Sequence, residues 1–246
     1  MTARSRARGI LLPTIFALAG LAVLAGFGVW QLERKSWKEN LIAQMSARLT
    51  AAPQPLPPRE RWPGLAQDID EFRRVVFPAE FLDGESALVY TPGSALRPDV
   101  SGPGYWVMSP ARLPGGSVVI INRGFVPLEK KQTVPTAPGD HGVIDVVGAL
   151  RWPEARGLFT PADDPRQDVW YARNPQAIAA AKNWGEVAPF YIEQETPHAP
   201  AGLPRAGKLA ISLPNNHLQY ALTWFGIAGA LVAVYLVWLF GRLRRR

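Results

Sequence analysis

Two uncharged, apolar stretches near the ends of the chain decide its fold. Residues 10–30 read ILLPTIFALAGLAVLAGFGVW, and residues 218–240 read LQYALTWFGIAGALVAVYLVWLF. At ~1.5 Å per residue, a helix over residues 10–30 is about 31 Å long, which matches the thickness of a bilayer's hydrocarbon core. The sequence therefore predicts two transmembrane helices. A cleaved signal peptide is the alternative for the first stretch, but the apolar core of a signal has only ~7–15 residues.

The net charge of +7 arises from the two tails of the chain, residues 1–9 and 241–246. The tails carry no acidic residue and contain Arg4, Arg6, Arg8, Arg242, Arg244, Arg245 and Arg246. Of the 27 basic residues seven are these arginines, and the rest balance the 20 acidic residues. Because the chain between the two tails has no net charge, it offers no basic patch for binding nucleic acid. The positive-inside rule instead places both tails in the cytoplasm and residues 31–217 outside it.

The segment between the spans divides by composition. Residues 33–49 continue the helical pattern, and the proline-rich residues 51–64 are predicted to form an extended linker. Seven short runs rich in β-branched and aromatic residues then alternate with Pro/Gly clusters, over residues 73–81, 87–91, 105–113, 117–126, 143–152, 169–172 and 190–193. One Ala-rich helix is predicted at residues 175–184. We therefore expect an α+β membrane protein, in which two transmembrane helices flank an extracytoplasmic β-rich core (residues 72–195), an antiparallel barrel or sandwich with one short helix.

Signatures of catalysis are nearly absent from the sequence. The chain has no cysteine, and His141, His198 and His217 are too far apart in sequence to form an H-x-x-x-H metal pair. Neither G-x-S-x-G nor S-x-x-K occurs. Asp163 and Asp164 could form a carboxylate pair, but the prolines on either side favour a solvated turn. The sequence thus favours a protein that is not an enzyme, and a membrane-anchored hydrolase would require an unrecognised carboxylate pair.

The most informative residues lie where the second span begins. On a helix, His217, Tyr220 and Trp224 project from one face at i, i+3 and i+7. A histidine beside two aromatic rings at a membrane boundary suits haem, whose iron takes a neutral imidazole nitrogen and whose ring packs on apolar surface. The alternative is that His217 only caps the helix or reaches the interface, together with Asn215 and Asn216. The residues alone leave both interpretations open.

The residues after the first span would lie close to His217, because both of these helix ends face the same side of the membrane. Arg34, Lys35 and Lys38 are candidates for pairing with haem propionates. Trp30 and Gln31 could line a haem pocket or belong to the interfacial aromatic belt.

The chain resembles the Surfeit locus protein 1 (Shy-type) family of cytochrome c oxidase assembly factors. Four segments carry the resemblance: GVWQLERKSWK at residues 28–38, RRVVFPAEF at 73–81, IINRGFVP at 120–127 and NNHLQYALTWFG at 215–226. The family usually has Trp after the Asn-Arg-Gly triplet, where this chain keeps an aromatic residue, Phe125. Together with the length and the two spans, the resemblance covers nearly the whole chain.

The resemblance implies a protein that helps to assemble haem-copper oxidase, by receiving haem a and presenting it to the catalytic subunit. In bacterial members the histidine of the NNH motif is implicated as a haem ligand, and His217 occupies that position. The implied partners are the catalytic subunit, the enzyme that makes haem a, and the lipid bilayer. The implied location is a bacterial inner membrane, with a periplasmic central domain. A scaffold that stabilises the nascent oxidase subunit without carrying haem is the alternative.

Arg123 is a further candidate for contacting a propionate or a partner. Asn122, Arg123 and Gly124 follow an apolar run, so they are predicted to lie at a strand end or a bulge where Gly124 supplies an unusual backbone angle. The alternative interpretation is a buried arginine that ties loops together.

Overall fold

The computed structural model describes residues 3–84, 86–133, 142–158, 160–211 and 214–244, with side chains from residue 9 onward. His141 lies outside the residues that the structure describes. By its internal contacts the chain separates into two units: a helical unit, Met1–Ala43 with Leu213–Arg246, and a β domain, Gln44–Ser212.

Two long helices form the helical unit. Helix α1 spans Ala3–Thr50, with its last turns in the β domain, and helix α4 spans His217–Arg244. Both are long and apolar enough to cross a membrane. Pro13 lies inside α1, ten residues from its beginning. The 48 residues of α1 correspond to about 72 Å at ~1.5 Å per residue, so this helix is longer than a single crossing requires.

The β domain contains one seven-stranded sheet. Its strands are β1 (Gln54–Pro55), β2 (Arg74–Phe81), β3 (Ala87–Thr91), β4 (Gly104–Arg112), β5 (Val118–Pro127), β6 (Val143–Arg151) and β7 (Val187–Thr196). The order is β1-β2-β6-β7-β5-β4-β3, and an additional β2–β4 pairing closes the five strands β2, β6, β7, β5 and β4 into a barrel. The described residues of the domain also form helix α2 (Gln67–Asp70), helix α3 (Pro175–Lys182) and two 3₁₀ helices (Arg59–Gly64 and Leu128–Thr133).

Strand pairing is antiparallel except between β5 and β7 and between β1 and β2. Both faces of β7 are buried, because Phe190 and Ile192 pack in one hydrophobic cluster and Tyr191 packs in another. The runs of consecutive apolar residues in β5 and β7 follow from this burial, since a strand covered on both faces has no polar side.

The proline-rich segment is docked on the β domain rather than extended as a free linker. Strand β1 pairs with β2 in parallel, and the 3₁₀ helix that follows buries Trp62. The Trp62 indole donates a hydrogen bond to the Pro57 carbonyl (2.9 Å) and packs edge-on against Phe190, with ring centroids 5.5 Å apart. A large buried aromatic side chain therefore attaches the segment to the core.

Residues 169–172 differ from the predicted strand. They make only two isolated bridges, Val89 with Trp170 and Asp164 with Val169. The second bridge closes a tight turn in which Asp168 has a φ of +53°. Asp163 accepts hydrogen bonds from the backbone N–H groups of residues 171 and 172 (2.6 and 3.3 Å). The predicted turn at the two aspartates is therefore confirmed, and residues 169–172 leave it without forming a continuous strand.

Candidate functional site

Helices α1 and α4 pack against each other along a regular stripe of side chains. Buried and half-buried positions recur every three or four residues, on α1 at Thr14, Ala17, Leu21, Leu24, Gly28, Gln31, Lys35 and Lys38, and on α4 at His217, Ala221, Trp224, Ala228, Leu231, Tyr235 and Trp238. This spacing is typical of two helices packed as a coiled coil.

Contacts along the stripe fix an antiparallel register between the two helices. Near one end, the hydroxyl groups of Thr14 and Tyr235 are 2.7 Å apart. Towards the other end, the Phe27 and Trp224 rings stack with centroids 5.0 Å apart. Gly28 lies against the Phe225 ring so closely that a Cβ atom there would be within 3.0 Å of three ring atoms.

The histidine predicted as a ligand is held by a glutamine of the opposite helix. Nδ1 of His217 lies 2.7 Å from Oε1 of Gln31. An amide oxygen only accepts, so a hydrogen bond between these two atoms requires the imidazole proton on Nδ1. Among the described residues, Nε2 of His217 has no hydrogen-bond partner, and the side chain is half-buried. The sequence included both residues as candidates, and the structure brings them together.

The start of α4 is organised by the two asparagines before His217. The Asn215 side-chain oxygen faces the His217 N–H at 3.5 Å, and the Asn216 carbonyl accepts from the Tyr220 N–H at 3.2 Å. Lys38 of α1 donates to the Pro214 carbonyl at 2.5 Å. The predicted capping by asparagine is therefore compatible with a second role for the His217 ring, because the cap does not use the imidazole.

The aromatic residues are arranged differently from the predicted single face. Trp224 faces α1, whereas the Tyr220 side chain is 56% exposed and lies outside the stripe. Trp30 is also half exposed, at 52%, as expected for a belt residue. Phe27, which the sequence analysis missed, takes the place expected for Tyr220 by stacking on Trp224. Phe27 lies beside the α1 stripe rather than in it, so the spacing of the stripe would not have identified it.

Each of the three cations after the first span already has a partner. The Arg34 guanidinium lies over the Trp37 ring, 4.0 Å from its centroid. Lys35 pairs with Glu39 at 2.8 Å, one turn further along α1. Lys38 contacts a backbone carbonyl, so all three cations have partners within the chain, and surface pairs of this kind contribute little to stability.

Arg123 belongs to the β domain and lies over the Phe81 ring, 5.1 Å from its centroid. The predicted bulge is confirmed: the register between β4 and β5 shifts beside this residue, and Gly124 has a φ of +125°. The preceding Asn122 is fully buried, and its amide donates to the Glu193 carboxylate at 3.0 and 3.1 Å. The Asn-Arg-Gly triplet thus has a structural role through Asn122, whereas Arg123 is half-buried.

A buried charge network surrounds Glu193. Arg173 binds both Glu193 (3.2 Å) and Glu154, and it stacks over Trp106. Burial alone would raise the pKa of the Glu154 carboxyl, but the charge and hydrogen bond of Arg173 outweigh burial and lower this pKa. Burial raises the pKa of the nearby Tyr191 phenol. Every charge in this network has an opposite partner, which is the pattern of a structural cluster.

No group of three or more His, Asp or Glu side chains among the described residues is arranged to hold a metal ion. His198 is exposed and lies in the β domain. In the part of the chain that the structure describes, His217 is therefore the histidine that is held between the two long helices.

Comparisons with known proteins agree with the sequence resemblance. The family model described as the SURF1 family matches residues 18–229. Surfeit locus protein 1 of Rattus norvegicus is 31% identical over 221 residues, which cover 85% of this chain and 70% of the rat protein. A SURF1-like protein of Monosiga brevicollis is 33% identical over 94% of this chain and 87% of its own length, and one of Drosophila melanogaster is 34% identical over 87% and 73%. A two-helix membrane protein with a β-rich domain between its helices, this chain belongs to the SURF1 family.

Proposed function

We propose that the chain is an assembly factor for haem-copper (cytochrome c) oxidase, which binds haem a through His217 and presents it to the catalytic subunit. The observation that carries this proposal is the geometry of His217, whose Nδ1 is engaged by Gln31 across the helix pair while Nε2 is left available. A neutral imidazole with one nitrogen held and one available is the form in which histidine binds iron. The enzyme that makes haem a would be the donor.

The surroundings of His217 fit the chemistry of a haem. The stacked Phe27 and Trp224 rings supply apolar, polarizable surface within two turns of the histidine on α4. Arg34 and Lys35 supply positive charge on α1 within one turn after Gln31. When bound, the group itself supplies the iron and the conjugated ring. The chain binds the iron through His217, orients the ring by aromatic packing and neutralises the propionates.

A scaffold without haem is the second candidate function. It is favoured by the existing partners of Arg34, Lys35 and Lys38, because a protein that never carries haem would have its cations satisfied internally. Under this alternative the Gln31–His217 contact is only an interhelical hydrogen bond that stabilises the packing of two membrane helices.

The experiment that separates the two candidates is a visible spectrum of the full chain, purified in detergent from cells that make haem a. Haem carriage predicts a Soret band in the wild type and its severe loss in His217→Ala, because aromatic packing cannot replace the iron bond. The matched control is His198→Ala, the same substitution at an exposed position of the β domain, which should keep the band.

The outcomes of this experiment are distinct. A wild type without a Soret band would support the scaffold, and full haem occupancy in His217→Ala would refute the ligand assignment. Equal losses in both histidine variants would indicate general misfolding. Membrane insertion of each variant is measured alongside, so that haem content is compared only among inserted proteins.

We propose further that the chain lies in a bacterial inner membrane with both termini cytoplasmic and the β domain periplasmic, on the basis of the arginine-rich tails. The chain has no cysteine, so single cysteines report topology without background. Leu158→Cys, at a side chain that is 99% exposed, should react with a membrane-impermeant maleimide in intact spheroplasts. Arg244→Cys should react only after lysis. The reverse pattern would invert the proposed topology.

A further inference from the structure

We propose that Gln31 is a positioning residue for His217, which fixes the imidazole tautomer and thereby makes Nε2 the iron-binding atom. The inference deepens the proposed haem site and rests on it for its biological meaning. It assigns to Gln31 a role different from lining a pocket. Gln31 acts through the histidine rather than on the ligand.

The tautomer follows from the hydrogen-bonding capacity of the two groups. A neutral imidazole has one N–H donor and one acceptor nitrogen. The Gln31 oxygen, 2.7 Å from Nδ1, is an acceptor only, so the proton of the neutral ring resides on Nδ1. Nε2 then carries the lone pair. Without this acceptor, both tautomers of the ring would be populated, and the fraction with the proton on Nε2 could not bind iron through Nε2.

Gln31 is held in place by contacts on both sides of it along α1. Three residues before it, the missing side chain of Gly28 admits the Phe225 ring. Seven residues after it, Lys38 binds the Pro214 carbonyl, three residues before His217. The glutamine therefore meets the imidazole at a fixed height along the helix pair, and its own side chain is half-buried.

The hydrogen bond also changes the strength of the iron ligand. Donation from Nδ1–H to an acceptor makes Nε2 more basic, and losing such an outer partner typically lowers metal affinity ~10–100-fold. Replacement of the amide by a carboxylate, which is a stronger acceptor, should increase the electron density on Nε2 and stabilise ferric over ferrous iron. Gln31→Leu should therefore lower the basicity of Nε2, and Gln31→Glu should raise it.

The first test needs no haem. With ¹⁵N-labelled histidine in the detergent-solubilised full chain, the His217 ring is assigned by its absence in His217→Ala, and the ring nitrogen shifts report the tautomer. The wild type should carry the proton on Nδ1, and Gln31→Leu should show a mixture with Nε2–H. A wild-type ring protonated on Nε2, or a Gln31→Leu ring with an unchanged tautomer, would overturn the proposal.

The second test uses haem a titrated into the same proteins. We expect Gln31→Leu to bind ~10–100-fold more weakly, Gln31→Glu to restore binding, and the midpoint potential of Gln31→Glu to lie below that of the wild type. A purely structural glutamine would give no restoration by glutamate and no shift in potential, and that result would refute the positioning role. If the wild type binds no haem at all, the haem-carrier function fails, while the tautomer measurement still decides the role of Gln31.

Discussion

Replacing Gly124 by alanine should destabilise the β domain more than the same change at any open glycine turn. Gly124 has a φ of +125°, a backbone region that is essentially restricted to glycine. A Cβ atom there would also lie within 3.0 Å of the backbone of Arg205 and Ala206. Those atoms belong to a segment that pairs with β5, because Phe125 and Arg205 exchange two backbone hydrogen bonds of 2.8 and 3.1 Å. The collision is therefore with backbone, and no side-chain rotation relieves it.

The expected magnitude follows from two separate costs. The unfavourable backbone angle costs ~1–3 kcal/mol, and overpacking against fixed backbone costs a further ~1–3 kcal/mol. The sum is about 2–6 kcal/mol, against a total stability of ~5–15 kcal/mol for a typical domain. Gly116→Ala is the matched control, since Gly116 has a φ of +82° with nothing within 4 Å of its Cβ position. The control incurs only the backbone cost.

Thermal unfolding of the haem-free full chain in detergent measures the difference, with near-UV circular dichroism of the buried Trp62, Trp106 and Trp170 as the signal for the β domain. At ~2–4 °C per kcal/mol, the Tm of Gly124→Ala should fall roughly twice as far as that of Gly116→Ala. Equal falls would show that the close approach to residues 205 and 206 costs nothing, and would refute the packing argument.

Three further predictions concern the helix pair and the charge network. Gly28→Leu should weaken helix packing by ~1–3 kcal/mol and lower haem content. Gly26→Leu is the control, because nothing lies within 4 Å of its Cβ position, and it should change neither quantity. Equal haem losses in the two variants would contradict the register. Tyr235→Phe should lower the free energy of helix association by about 0.6–2 kcal/mol, because the hydrogen bond to Thr14 is lost. A double-mutant cycle with Thr14→Val measures this bond, and an absence of coupling would exclude it. The pKa of Glu154 is lowered in the folded state, so its contribution to stability is complete above the unfolded pKa and is lost as pH falls through the folded pKa. Glu154→Gln should therefore reduce the fall in Tm at acidic pH, measured by melting curves over a range of pH. An unchanged fall in Tm would remove Glu154 from the network.

The sequence predicted the β domain well where local pattern decides structure. Six of the seven predicted strands occur, and the bulge at Gly124 was expected from the Asn-Arg-Gly triplet after an apolar run. The seventh predicted run, residues 169–172, has β-branched and aromatic residues, but the two preceding aspartates turn the chain. Turn chemistry outweighs β propensity there, because side-chain oxygens satisfy the backbone donors that a neighbouring strand would otherwise bind.

Long-range pairing was not accessible from local pattern. The five prolines of residues 51–64 are characteristic of an exposed linker, yet Trp62 attaches this segment to Phe190 in β7. Likewise, β5 and β7 pair in parallel although β6 and α3 lie between them in sequence. A hydrophobic run predicts that a strand is buried but does not identify its neighbours.

In the candidate site, helical periodicity predicts which side chains face the other helix, but it does not predict which of them lie opposite each other. Sequence spacing placed His217 and Gln31 near the same end of the two spans, but 186 positions separate them along the chain, and helical periodicity alone allows a slip of one turn. Such a slip would bring Gly28 or Lys35 opposite the histidine; glycine has no side-chain acceptor, and an ammonium group only donates. Neither could accept a proton from Nδ1. Gly28, the small residue that admits Phe225 one turn before Gln31, therefore helps to determine which nitrogen of His217 is available, and the chemistry of the site depends on helix packing as well as on the histidine itself.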